Sequence, residues 1–340
     1  MLAAVGDGFG SAYAGGTFTA IGNAAANHVV RWDGSAWAPL GLGTNGPVRC
    51  IAPGAAVFAG GAFTSAGGVP ANGIARWTGS QWSLLGSGVD AEVRAITPLP
   101  NGDVLAAGAF ATAGGIACAR IARWNGTTWS PLGQGLDAPA NALLRLTNGD
   151  VVVGGAFTSA GGVAAAGIAR WSAATATWSA LGAGLTGSGA EVMAIVALPN
   201  GDLVVGGEFQ FAGGQPAARI ARWNGTNWSP LGNGCDARVR ALAVLPDGDI
   251  AAAGDFTVAG GAAALHIARW IGTSWSAFGA GADATVHALA WVGDGTLLLG
   301  GTFQNTGGGI AVSNARLQTP CIADAPPYGA GCAGSGGTAV

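Results

Sequence analysis

The chain has 340 residues, with 63 Gly, 13 Trp, 11 Phe, an apolar fraction of 50 % and only 9 % charged residues, a content that excludes a disordered chain despite the glycine. Its basic residues are all Arg, its formal net charge is −3 and it has no basic run, which excludes a nucleic-acid groove, because phosphate binding needs clustered positive charge. No apolar stretch approaches the roughly 20 residues of a membrane-spanning helix.

The first segment, MLAAVGDGFG, lacks the basic region and long apolar core of a signal peptide, so none is expected within this chain. Aligning Val5-Gly6-Asp7-Gly8 with Val292-Gly293-Asp294-Gly295 places Met1 inside the innermost strand of a repeating unit. That unit recurs seven times. A Gly-Gly-x-Phe-like signature puts its Phe at Phe18, Phe63, Phe110, Phe157, Phe209, Phe256 and Phe303, at steps of 45, 47, 47, 52, 47 and 47. An apolar stretch ending in Arg follows each Phe, at Arg31, Arg76, Arg123, Arg170, Arg222, Arg269 and Arg316. A period in this range marks propellers and solenoids.

Residues 239 to 275 serve as the type unit. Val239 to Leu245 predicts a first strand, Pro246-Asp247-Gly248-Asp249 a tight turn and Ile250 to Phe256 a second strand. A loop carrying Ala259-Gly260-Gly261 follows. His266 to Trp270 predicts the third strand, Ile271-Gly272 a turn and Ser274 to Phe278 the fourth. Four antiparallel strands per unit make a propeller blade. The fold class expected is all-β, a seven-bladed β-propeller over residues 1–320 with four antiparallel strands per blade, followed by a tail over 321–340.

Within the unit, Gly doublets such as Gly154-Gly155 and Gly206-Gly207 end strands and predict close approach of neighbouring backbone. The Trp residues come in pairs: 32/37, 77/82, 124/129, 171/178, 223/228 and 270/275. A two-residue Asn125-Gly126 turn would set Trp124 opposite Thr127 and make Trp129 its diagonal neighbour. Repetition at one position favours packing between blades over a sugar platform. No acid recurs in all seven units to pair with the repeated Arg. Turn aspartates occur only at Asp103, Asp150, Asp202 and Asp249, so backbone carbonyls and Trp faces are the expected partners of these guanidinium groups.

The seventh unit loses its Trp to Leu317, and the Trp-bearing fourth strand is missing. An open sheet edge invites a foreign strand. The tail Pro327-Tyr328-Gly329-Ala330-Gly331-Cys332 aligns with Pro230-Leu231-Gly232-Asn233-Gly234-Cys235 and can supply a degenerate fourth strand. Cys321 and Cys332 flank it, and either a disulfide or two free thiols is compatible with the sequence. Residues 333–340 read as a Gly/Ser-rich linker.

The Gly doublet ending strand two, followed by RWNGTNW across strands three and four, resembles kelch repeats. The fuller phrase GGEFQFAGGQPAARIARWNGTNWSPLGNGCDARVRALAVLPDGD is similar to the repeats of secreted bacterial propeller proteins and of fungal cortical cell-polarity markers. YGAGCAGSGG resembles junctions in large secreted planctomycete-type proteins. These resemblances imply a propeller outside the cell or at its surface, and no shared catalytic residue. The IARW Arg and the Ala-Gly-Gly loop depart from typical kelch and argue against an intracellular adaptor role.

For chemistry, His28, His266 and His287 fall in different units, too scattered for a metal site or a nucleophile–base pair. No cofactor and no metal are expected. Asn125-Gly126-Thr127 and Asn224-Gly225-Thr226 match glycosylation sequons but read as turns. The face carrying the loops between blades is the expected binding face. It holds Gly-x-Asp-Ala loops at Asp90, Asp137, Asp236 and Asp283, and a variable position after the strand-one Val: Arg49, Arg94, Asn141, Met193, Arg240 and His287. The competing reading of these charges is a solvated, self-neutralising rim. The expected function is a non-enzymatic extracytoplasmic propeller used for structure, adhesion or assembly. The alternatives are a carbohydrate-binding module using the inter-blade loops, and a hydrolase or oxidase on a propeller scaffold. Its expected partner is a protein, including a second copy through the edge of blade seven, or an extracellular glycan. Neither nucleic acid nor membrane insertion is expected.

Overall fold

The structure, a computed structural model, describes residues 1–7, 10–21, 24–293 and 296–306, and no helix occurs among them. The outer part of the seventh unit lies outside the described residues, as do the tail, the Cys321/Cys332 pair and the linker. Six units each form one four-stranded antiparallel sheet in which the strands follow chain order. The type unit runs Val239–Val244, Ile250–Gly254, Ile267–Trp270 and Trp275–Ala277. In the seventh unit Val286–Gly293 pairs with Thr296–Gly301.

Local chemistry sets this order. In the first turn of the type unit Gly248 takes φ 88° and donates to the Leu245 carbonyl at 2.9 Å, while Leu245 N–H donates to Asp249 O at 2.8 Å. The loop between strands two and three is itself a small hairpin. Val258–Ala259 pairs with Ala262–Ala263 around Gly260-Gly261, at φ 63° and 91°, a conformation with both central residues left-handed that glycine adopts readily.

The sheets stay separate and are held together by packing. All seven repeat Phe are buried, none more than 4 % exposed. The Gly doublets work as expected: a Cβ on Gly154 would come within 2.3 Å of Val192 in the next unit, and one on Gly155 within 2.2 Å of the Pro139 carbonyl. Each innermost strand packs against that of the next unit, and the seventh, Val286–Gly293, packs against the first, Ala3–Gly6. Met1, Phe18, Ala290, Val292 and Leu298 share one core cluster across that junction, and Gly10 N–H donates to Val292 O at 3.0 Å.

The Trp pairs do lie between units, but their register differs from the expected one. Trp124 and Trp129 sit directly opposite each other, with ring centroids 5.4 Å apart. The turn residues are Gly126-Thr127, not Asn125-Gly126. The Asn125 Oδ1 accepts from Thr127 N–H at 3.0 Å and Thr128 N–H at 2.8 Å, which folds Asn125 into the flank of the turn and shifts the pairing. The fourth-strand Trp then staples its unit to the preceding one. Trp82, Trp129, Trp178, Trp228 and Trp275 donate from Nε1 to the carbonyls of Leu40, Leu85, Leu132, Leu181 and Leu231 at 2.8–3.1 Å.

The repeat Arg also find partners other than those expected. Where the turn carries Asp, that carboxylate takes the guanidinium: Asp103 with Arg123, Asp150 with Arg170, Asp202 with Arg222 and Asp249 with Arg269. The reason is register, because Arg170 lies across strand two from the turn that holds Asp150, and the Arg170 Nε reaches Oδ2 at 2.7 Å. In the second unit the turn is Pro53-Gly54-Ala55-Ala56, without an acid, and Arg76 is exposed.

Candidate functional site

Every first strand from the second unit to the seventh contains a β-bulge one residue after its leading Val or Ala. The register shifts fall between Val48/Cys50, Val93/Ala95, Ala140/Ala142, Val192/Ala194, Val239/Ala241 and Val286/Ala288. The extra residues are Arg49, Arg94, Asn141, Met193, Arg240 and His287. A bulge leaves its extra residue outside the pairing and re-aims its side chain. All six side chains line one cavity of about 320 Å³, joined by Leu2 of the first unit and by Glu92, Glu191 and Arg238. Six bulge side chains, one from each of the second to seventh units, together with Leu2 of the first, thus converge on a single pocket.

The pocket side chains are organised as a chain of hydrogen bonds. Glu92 receives Arg49 and, at 3.0 Å, Arg94. The Arg94 Nη1 donates to Asn141 Oδ1 at 2.9 Å, and Asn141 Nδ2 donates to Glu191 Oε1 at 2.8 Å and to the Val192 carbonyl at 2.9 Å. On the opposite side Arg240 makes a two-point pair with Asp255 at 2.7 and 2.9 Å, and Thr285 Oγ1 donates to the same carboxylate at 3.1 Å. Burial acts to raise the Asp255 pKa, but the hydrogen bonds and charge of Arg240 outweigh it and hold this carboxyl below its usual value. Burial, with Arg240 adding to it, pushes His287 down to about 4, so the imidazole is neutral at pH 7. Four guanidinium groups and two carboxylates line the cavity. Because both lining carboxylates already accept hydrogen bonds from lining side chains, the remaining donor capacity belongs to arginine.

Of the residues expected from sequence, Arg49, Arg94, Asn141, Arg240 and His287 come together here. Asp90, Asp137, Asp236 and Asp283 do not line this pocket. Asp90, Asp137 and Asp236 each clamp the small hairpin of their own unit instead, and Asp283 holds the corresponding backbone of the seventh. Asp137 Oδ1 accepts from Thr158 and Ser159 N–H at 2.9 and 3.0 Å. Asp90 holds Ala111 and Thr112, Asp236 holds Thr257 and Val258, and Asp283 holds Gln304 and Asn305 in the same way. Asp90 also borders a neighbouring cleft of about 350 Å³. Glu92, Glu191 and Arg238 were not expected at the site. Each stands two residues before a bulge residue, on the same face of an extended chain, and that period-two relation was the signal available.

Elsewhere, the thiols of Cys50, Cys118 and Cys235 are buried or partly buried, and burial raises their pKa, that of Cys235 to about 12, so they are not thiolates at neutral pH. Among the described residues no three His, Cys, Asp or Glu converge with metal-binding geometry.

Residues 198–230 match a family described as Domain of unknown function (DUF5122) beta-propeller. No curated protein sequence matches the chain. Among solved structures it is similar to the extracellular domain of BT4673 from B. thetaiotaomicron, described as a one-component system, at 10 % identity and a TM-score of 0.60. That match covers 87 % of this chain and 36 % of the other. It is similar to YCF48 bound to D1 peptide, at 16 % identity and TM-score 0.54, over 88 % of this chain and 89 % of that one. It is also similar to PorZ, a surface component of the type-IX secretion system of Porphyromonas gingivalis, at 16 % identity and TM-score 0.53, over 85 % and 44 % of the two chains. The chain therefore spans a little over a third of the BT4673 chain and under half of PorZ. At these identities the likeness concerns the fold: this chain is a β-propeller built from four-stranded antiparallel sheets.

Proposed function

We propose that this chain is a seven-bladed, extracytoplasmic, non-enzymatic propeller that serves assembly by binding a carboxylate-bearing peptide segment of a partner protein at the bulge-lined pocket. The observation that carries this reading is the convergence on one cavity of six bulge side chains, from the second to seventh units, together with Leu2 of the first. Packing of the seventh inner strand on the first supports a ring of seven blades. The lining guanidinium groups are each ion-paired, Arg49 and Arg94 with Glu92, Arg238 with Glu208 and Arg240 with Asp255, and it is their N–H donors not used in these pairs that support a carboxylate ligand, since arginine forks match carboxylates in two-point geometry. Location outside the cytoplasm rests on the kelch-like, secreted-propeller and cortical-marker resemblance of the repeat, and on neighbours that are extracellular domains or surface components. Binding of a peptide is supported by analogy with YCF48, whose structure holds one.

A glycan platform on the Trp pairs is the poorer reading, because the second Trp of each of five pairs spends its indole N–H on the preceding unit. Selection from a displayed peptide library, run beside a glycan array, tests the proposal. Enrichment of Asp- or Glu-containing peptides is the expected result. Binding confined to glycans would overturn it.

A further inference from the structure

Beside the pocket, and sharing Glu92 with it, a cleft of about 350 Å³ opens between the second and third units. Two positions that are small there and larger elsewhere account for it. The residue before each third strand is left-handed, as His28, Gly73, Arg120, Gly167, Arg219 and His266, at φ 63–71°. Four of these six are not glycine, so backbone geometry alone does not call for Gly73. The residue after the last Gly of strand two varies as well, as Thr17, Ala62, Ala109, Ala156, Glu208 and Asp255. In the fifth unit the two positions fill the junction. Arg219 Nε donates to Glu208 at 3.4 Å, and its Nη1 to the Cys235 carbonyl at 3.4 Å. In the second unit they are Ala62 and Gly73, and both line the cleft. The fourth unit also has Ala and Gly, but Thr186 stands where the cleft has Asp90. Its connection from Leu185 to Val192 also spans seven positions, against four from Val89 to Val93.

The cleft also has a defined charge. Of its lining residues Asp90 and Glu92 are charged, and none is basic. Glu92 is paired with Arg49 and Arg94, whereas Asp90 makes no ion pair among the described residues. Asp90 is fixed in place, its Oδ1 accepting from Ala111 and Thr112 N–H at 2.8 and 2.9 Å. The way out from pocket to cleft therefore leads from guanidinium groups to an aspartate. Val89 and Cys235 hold the same position, each bridged to an alanine of the following unit. The Val89 carbonyl and Asp90 thus correspond to the Cys235 carbonyl and Asp236 beside Arg219. We propose that the cleft binds a Lys or Arg side chain of the same peptide whose carboxylate enters the pocket, the cation taking the place that the Arg219 guanidinium holds in the fifth unit. This rests on the peptide-binding reading and narrows its ligand to a segment with an acidic and a basic residue close in sequence. Phe63 and Val89 give the cleft apolar walls for the methylene stem, while the charged head meets Asp90.

The probe is a set of short peptides, blocked at both ends, with a central Glu and every other position scanned through Lys, Ala and Glu. Affinities are measured on the native protein and on two variants of Ala62, which is exposed and tolerates a longer side chain. On the native protein, Lys at a position near the Glu should tighten binding about threefold over Ala, the worth of a partly exposed ion pair. Ala62→Arg, which places a guanidinium in the cleft, should abolish that preference. Ala62→Glu, which copies Glu208, should increase it. Several results would overturn the proposal while leaving the pocket reading standing: Glu-centred peptides that bind with no preference for Lys, a preference that survives Ala62→Arg, loss of Lys and Ala peptides alike in that variant, or equal effects of the two variants. Failure of every Glu-centred peptide to bind the native protein would overturn both.

Discussion

The indole nitrogen of Trp129 donates a 2.8 Å hydrogen bond to the carbonyl of Leu85, which belongs to the preceding sheet. This bond and its counterparts join units whose four-stranded sheets are separate, so stability is distributed over a series of similar interfaces. Trp129 is 3 % exposed, whereas Trp124 is only partly buried. Trp129→Ala should therefore cost about 3–5 kcal/mol, as large aromatic deletions do. Trp129→Phe, which keeps most of the ring but orphans the carbonyl, should cost about 1–3 kcal/mol. Urea unfolding of both variants and of Trp124→Ala measures this, with Trp124→Ala expected to be the milder of the two deletions.

Close approach at the Gly doublets yields a second expectation. Gly154→Ala would place its Cβ 2.3 Å from a Val192 methyl in a neighbouring sheet. Overpacking of this kind costs about 1–3 kcal/mol. Gly102→Ala meets open space, so only its positive φ of 89° opposes it, and it should cost less. Equal midpoints for the two variants would remove the packing argument.

Acid should weaken the Asp150–Arg170 pair. Burial acts to raise the Asp150 pKa, but hydrogen bonds from Ala173 N–H, Arg170 and Asn148 outweigh it and hold the carboxyl below its ordinary value. A folded-state pKa below the unfolded one stabilises above the unfolded value, near 4, and that contribution is lost as pH falls through the folded value. Asp150→Asn should therefore lower stability at pH 7 and narrow the gap to wild type below about pH 4. A gap that stays constant with pH would show that the carboxylate's charge is irrelevant.

His287 has the same sign by a different cause. Its pKa is pushed down to about 4 by burial, with Arg240 adding to it, so the unfolded chain binds its proton first. Stability from this site is complete above the ordinary histidine pKa near 6.5 and is lost as pH falls toward 4. His287→Gln should flatten the stability profile between those limits. An NMR titration of His287 with a midpoint near 6.5 would contradict the assignment.

Much of the fold was legible because glycine and aromatic residues mark positions that recur. The Phe spacing located seven units, and Asp-Gly turns located the first hairpins. The Trp register was misread because the Asn125 side chain, rather than its backbone, shapes the turn, which moves the turn by one residue and the partner of Trp124 by two, from Thr127 to Trp129. The Arg partners were missed because Asp103 and Arg123 meet only through strand register, which sequence spacing alone does not display. At the site, the variable position after each strand-one Val was readable. The bulge that turns those side chains into one cavity was not, since Val48-Arg49-Cys50 carries no bulge-forming glycine. The loop aspartates were conspicuous for the wrong reason, because a carboxylate that caps backbone N–H groups and one that binds a ligand look alike in sequence.

In the proposed function, side chains from separate units form one binding site, and binding calorimetry on a peptide selected with the native protein measures what each of them contributes. Arg94 and Arg240 belong to different units and line the same cavity, whereas Asp137 clamps a loop outside it. Loss of a charge-assisted hydrogen bond is worth about 1.5–3 kcal/mol, or roughly 10- to 150-fold in affinity. Arg94→Ala and Arg240→Ala should each weaken binding by at least about tenfold, with Asp137→Ala close to wild type. Wild-type affinity in both arginine variants, with the protein folded, would contradict the account.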